Sequence, residues 1–169
     1  VEINSVFIAD AVGDSWQTNI KTSRCLNFHG KKKITIPPGE TVWCDPLKYN
    51  LKSGQRLAIT VCYGAQTPEN ATSHRGSRTT SYIIGGMATA KSDFENAEKV
   101  EHWYNISAID VMAANVPVVA VLGNSITDGR GTTTNKQNRW TDFMSDALNV
   151  ENPYGVLNLG IGGNCVLRG

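Results

Sequence analysis

Long apolar runs are missing from this chain. No stretch approaches the roughly 20 apolar residues that a helix needs to cross a bilayer, so a membrane-spanning helix is not expected. Charge of one sign is missing as well. Lys+Arg number 16 and Asp+Glu 15, spread along the whole length, which leaves neither a basic face for nucleic acid nor an acidic tail. The Lys31-Lys32-Lys33 run is the single cluster and reads as a solvated turn. Cysteine is scarce: Cys25, Cys44, Cys62 and Cys165 are too few for a disulfide scaffold, and no C-x-x-C pair suggests zinc or redox chemistry. They read first as small buried residues, with one disulfide in the amino-terminal half as the alternative. No initiator Met and no basic-then-apolar leader precede Val1-Glu2-Ile3, so a signal peptide is expected to have been removed or never included. Internal repeats and low-complexity segments are also missing.

Sustained helical periodicity is missing from Val1 to about Ala113, and short extended segments separated by turn chemistry stand in its place. Val1, Ile3, Val6 and Ile8 begin the series. Ile34-Thr35-Ile36 runs into the turn signal Pro37-Pro38-Gly39, and Thr41-Val42-Trp43-Cys44 resumes an extended pattern. Leu57, Ile59, Val61 and Tyr63 alternate with Ala58, Thr60 and Cys62 at the period of a strand with two distinct faces. Tyr82-Ile83-Ile84 and the stretch from Trp103 to Val111 complete the set. Many short strands with turns between them predict an all-β sandwich over residues 1–114. Asn70-Ala71-Thr72 and Asn105-Ile106-Ser107 match the N-glycosylation pattern, which has meaning only in a host that glycosylates its secreted proteins.

After Asn115-Val116-Pro117 the pattern changes. Val118-Val119-Ala120-Val121-Leu122 is a continuous apolar run, as in a strand buried on both faces of a parallel sheet. A polar loop follows. Trp140, Phe143, Met144, Ala147 and Leu148 then fall on one stripe of a helix, with Asn138 as its expected N-cap. Val156-Leu157-Asn158-Leu159 reads as a second buried strand, so residues 115–169 predict a parallel βαβ unit, the start of an α/β domain. Parallel strands joined this way aim their carboxyl ends at one edge of the sheet, where open α/β proteins place their sites. The loops expected there are Gly123-Asn124-Ser125-Ile126-Thr127-Asp128-Gly129 and Gly160-Ile161-Gly162-Gly163-Asn164. If the strands are adjacent, Ser125 and Gly163 are neighbours.

Spacing rejects three readings of these loops. Thr127 stands where a G-x-S-x-G elbow needs its second glycine. The first loop lacks the Gly-Lys-Ser/Thr ending of a Walker loop, and Cys165 takes the place of the third glycine of a dinucleotide fingerprint. Two glycine-containing loops after parallel strands still leave phosphate binding as a minor alternative.

Gly123 to Gly129 resembles the first block of the SGNH (GDSL-like) hydrolases, usually G-D-S-I-T-D-G after a buried strand. Asn158-Leu159-Gly160-Ile161-Gly162-Gly163-Asn164 is similar to the second block, which ends in an oxyanion-hole glycine, here Gly163. Arg139-Trp140-Thr141-Asp142 resembles the helix after the nucleophile loop in a bacterial branch that carries a β-sandwich first. Ile34-Thr35-Ile36-Pro37-Pro38-Gly39, Cys44-Asp45-Pro46, Thr80-Ser81-Tyr82 and Trp103-Tyr104 leading to Ile109-Asp110-Val111 extend the likeness to nearly the whole chain.

The resemblance implies an amino-terminal sandwich followed by the start of a flavodoxin-like three-layer α/β domain. It also implies a serine esterase: Ser125 is nucleophile and oxyanion donor, Gly163 the second oxyanion donor, and no metal or organic cofactor takes part. Asn124 replaces the usual Asp, which removes a charge but keeps an acceptor oxygen. Asn124 and Asn164 are expected at the substrate. The triad Asp and His are expected beyond Gly169, so the remaining catalytic polypeptide is an expected partner. Among His29, His74 and His102, an internal base is the lesser alternative to surface or loop-anchoring roles, and His74 is the best placed to line a substrate cleft. The expected substrates are short acyl esters, chiefly O-acetyl groups on polysaccharide, with lipid esters left open, and the expected location is secreted or periplasmic. The rival is a sugar-binding sandwich with a secondary α/β part, for which Trp16 in a polar loop could stack on a sugar.

Overall fold

The computed structural model describes residues 1–65, 68–87, 89 and 91–167. The last two residues of the segment expected to form the βαβ unit, 168 and 169, lie outside the described residues. Strand outweighs helix by 33% to 8%, so the protein is mostly β, with several small antiparallel sheets, one short parallel pair and no clear α/β domain. Two compact units divide it, Val1–Ala71 with Tyr82–Lys99, and Thr72–Ser81 with Val100–Gly169. Residues 72–81 and 100–114, which the sequence groups with the amino-terminal strands, thus cluster with the segment after 115.

The first unit is built on β1 (Glu2–Ala11), which pairs antiparallel with β2 (Thr18–Leu26), β3 (Ile34–Thr35) and β4 (Leu57–Tyr63). Ile3 and Val6 are three residues apart and would face opposite sides of a regular strand. A register shift against β4 between Ile3 and Ser5 inserts a residue, and both side chains enter one cluster with Phe28. Leu26, Ile34, Ile36, Val42, Ile59 and Val61 pack against that cluster. Fully burying one such side chain stabilises by about 1.5–3 kcal/mol, and these six, only partly buried, contribute less.

Asp45 explains one stretch of the sequence that carries no periodicity. Its carboxylate accepts from the backbone N–H groups of His29 (2.9 Å) and Gly30 (2.8 Å), both left-handed at φ 51° and 75°. His29 is therefore exposed at a pinned turn. Lys31, Lys32 and Lys33 are exposed as expected, with Lys33 paired to Glu2. The cysteines correct the expectation of burial: all four are free thiols, Cys62 is buried, Cys25 half-buried, and Cys44 and Cys165 are exposed.

The other pieces are short. Two-stranded antiparallel ribbons join β5 (Ser73–Arg75) to β8 (His102–Tyr104), and β6 (Ser81–Ile83) pairs with β7 (Glu98–Val100). In the second unit β9 (Val118–Gly123), the one-turn α1 (Ser125–Asp128), α2 (Trp140–Leu148) and β10 (Gly155–Gly160) follow in order. β9 and β10 pair in parallel from Gly155↔Val118 to Gly160↔Gly123. The strand, helix and strand positions match the sequence reading. Burial on both faces does not: Val118, Leu122, Leu157 and Leu159 are exposed. Two strands and one nine-residue helix lack the surface to cover both faces of a sheet.

The helix cap is also corrected. Arg139, not Asn138, is the N-cap, and Asp142 at the third helical position accepts from the Arg139 N–H at 2.8 Å. Asn138 turns back to accept from Thr133 N–H at 3.0 Å.

Candidate functional site

The site grows from the end of β9. A Cβ on Gly123 would lie 2.1 Å from Thr127 Oγ1, so only glycine lets the chain fold back over itself there. Asn124 follows as the N-cap of α1, and its Oδ1 accepts from Ile126 N–H at 3.1 Å. It is an acceptor role that a carboxylate could equally fill. Asp128 N–H donates to Asn124 O, and Gly129 and Arg130 N–H donate to Ser125 O. The turn is thus capped by Asn124, while the half-buried Ser125 hydroxyl has no hydrogen-bond partner among the described residues.

The second loop lies against the first because β10 ends in register with β9. Ile161 N–H donates to Gly123 O at 3.0 Å, and Asn164 Nδ2 donates to the same carbonyl at 3.4 Å. Gly160 abuts α1 so closely that a Cβ would fall 2.3 Å from Asp128 N. Gly163 adopts φ 84°, and a Cβ there would meet open space. It is a left-handed residue with free approach to its backbone. The structure therefore brings together the loops of Asn124, Ser125, Gly163 and Asn164, with the Asn164 amide engaged on Gly123.

Asn158, Thr141 and Arg139 hold this arrangement in roles not assigned from sequence. Asn158 Nδ2 donates to Thr127 O at 2.7 Å and to the buried Thr141 Oγ1 at 3.0 Å, while its Oδ1 accepts from Gly160 N–H. One amide thereby joins α1, α2 and the glycine loop. Arg139 is buried and donates to Asp128 O, to Ser77 O (2.6 Å), to Gln137 and to Asp142. Their motif positions were visible; their partners, up to 62 residues away, were not.

His74 reaches this site. Its Nε2 lies 2.7 Å from Asp128 Oδ1, and Asp128 Oδ2 lies 3.8 Å from where a Gly162 Cβ would sit. Of the other histidines, His29 sits in the Asp45-pinned turn, and His102 stacks on Tyr104 with ring centroids 5.8 Å apart. Among the described residues no group of three His, Cys, Asp or Glu could hold a metal ion.

The first unit carries two grooves of its own. One, of about 740 Å³, includes Asp10, whose Oδ1 accepts from Tyr49 (2.6 Å) and Gln55 (2.5 Å). Burial, reinforced by the bond to Asp10, pushes the Tyr49 phenol above its ordinary range. The other, of about 520 Å³, is lined by Trp16 and Phe94, tilted rings 6.4 Å apart, with Gln17, Thr18 and Lys91.

No protein-family model matches the chain, and no curated protein matches it significantly. The functional reading therefore stands on residues and geometry.

Proposed function

We propose that this chain is the amino-terminal part of an SGNH-type serine esterase: a β-sandwich region followed by the first βαβ unit of a three-layer α/β domain. One observation carries the reading. The in-register parallel pairing of β9 and β10 sets the Ser125 loop against the Gly163 loop, with Asn124 capping the turn and the serine hydroxyl unspent. The motif sequences Gly123 to Gly129 and Asn158 to Asn164 support the same assignment.

In this mechanism Ser125 Oγ attacks the ester carbonyl as a histidine from polypeptide outside this sequence takes its proton. The carbonyl oxygen becomes an oxyanion held by the N–H groups of Ser125 and Gly163, each such donor typically contributing about a hundredfold or more in rate. Collapse releases the alcohol, protonated by the histidine, and leaves an acyl-serine; water, activated by the same histidine, then hydrolyses it. The substrates are short acyl esters, chiefly O-acetyl groups on polysaccharide, and the location is secreted or periplasmic.

In the full-length protein, Ser125→Ala should abolish hydrolysis of an aryl acetate and labelling by a fluorophosphonate while melting like wild type. Gly163→Val should lower turnover but retain the nucleophile. An active Ser125→Ala enzyme would overturn the assignment.

The Trp16–Phe94 groove favours a second reading, a sugar-binding module. Incubation with acetylated and deacetylated xylan separates the two. Turnover supports the esterase, and retention without turnover supports the module.

A further inference from the structure

We propose that Trp103 forms the aromatic floor of a saccharide subsite beside Ser125, held in place by the His74–Asp128 pair. The proposal rests on the esterase reading and specifies how the alcohol part of its substrate is recognised. Three links place the indole. His74 on β5 is directly opposite Trp103 on β8, and the two rings are 5.6 Å apart at 38°. His74 Nε2 is 2.7 Å from Asp128 Oδ1. Asp128 follows Ser125 by three residues in α1, a spacing that puts two side chains on one helix face about 5–6 Å apart at Cβ. The chain of contacts thus runs indole, imidazole, carboxylate, nucleophile turn.

Exposure and surroundings identify the ligand class. Trp103 is 40% exposed, which leaves part of the indole free to meet a ligand. Its cross-strand partner is polar: the His74 side chain retains 35% of its surface, while Ser73 and Arg75, on either side of His74, alternate to the other face of the ribbon. An acyl chain would call for a continuous apolar wall. An exposed indole beside a polar imidazole suits a pyranose, whose axial C–H groups pack on the ring while a hydroxyl meets the imidazole. With Nε2 engaged by Asp128, Nδ1 of His74 has no partner among the described residues and can meet a sugar hydroxyl. His74 is accordingly a positioning residue for Trp103 as well as a polar contact for the sugar.

The test compares an acetylated xylo-oligosaccharide with an aryl acetate, using the full-length enzyme. Trp103→Ala should lower the preference for the saccharide about tenfold, through KM, the scale expected for loss of one aromatic contact. Trp103→Phe should restore most of it, and Trp103→Leu, which keeps apolar bulk without a π face, should not. His74→Ala should lower the same preference, with partial rescue by His74→Gln. Equal losses on both substrates, or Leu rescuing as well as Phe, would overturn the proposal. Calorimetry on Ser125→Ala with and without Trp103→Ala reads the subsite without turnover: about tenfold weaker binding of the oligosaccharide supports it, and equal binding sinks it. Failure of the esterase reading shows separately, as a wild-type enzyme inert to the aryl acetate.

Discussion

Asn158 shows how much of the site depends on one side chain. Its amide satisfies Thr127 O, Thr141 Oγ1 and Gly160 N–H together, so truncation strands three polar groups that were facing protein. We expect Asn158→Ala to destabilise by about 2 kcal/mol, read as a lower urea midpoint, and to disorder both loops. Asn158→Asp, which keeps the acceptor for Gly160 and loses both donors, should fall between. At this scale the sequence is a partial guide. Ser125, Asn124 and Gly163 were legible because they sit in contiguous motifs whose residue types are restricted by backbone geometry. The links of His74 to Asp128 and of Arg139 to Ser77 were not, since partners 54 and 62 residues apart leave no local periodicity.

Periodicity located α2 and the two parallel strands, because 3.6-residue and extended patterns are written into neighbouring positions. It failed on what those faces touch. Met144 and Leu148 of the α2 stripe are half-buried, while Trp140 and Phe143 on the same stripe are exposed. An apolar stripe records a tendency to be covered, and covering depends on the elements available. The cap was misread for a related reason: Asn138 has the right chemistry, but its oxygen serves Thr133. Asp142 therefore matters more to α2 than Asn138. Asp142→Ala removes the acceptor of the Arg139 N–H and a carboxylate 3.3 Å from its guanidinium. The expected loss is about 1 kcal/mol, measured as a lower melting temperature, with Asp142→Asn costing less and Asn138→Ala within a few tenths.

Across the molecule, residues 106–115 are exposed and lie outside any strand or helix, a natural target for limited proteolysis. A cut there should not release the downstream piece. Residues 72–81 lie upstream of the cut, yet within the second unit they are tied to the downstream residues by His74–Asp128, Arg139 to Ser77 O, and Asn135 to Thr80. We expect the nicked chain to elute as one species in gel filtration and to separate only in denaturant. Early separation in native buffer would show that these bonds do not hold the unit.

The interleaving of the second unit sets terms for recombination. A chimera that exchanged residues 1–114 for an unrelated sandwich would look conservative by chain order, yet it would discard residues 72–81, which Asp128 and Arg139 engage. The graft that keeps those partners retains residues 72–81 and everything from 100 onward. Any substitute for the first unit must then enter as two pieces, one ahead of residue 72 and one inserted between residues 81 and 100, where its ends meet the β6 and β7 positions. End-to-end exchange at residue 114 would therefore separate side chains that are bonded to one another.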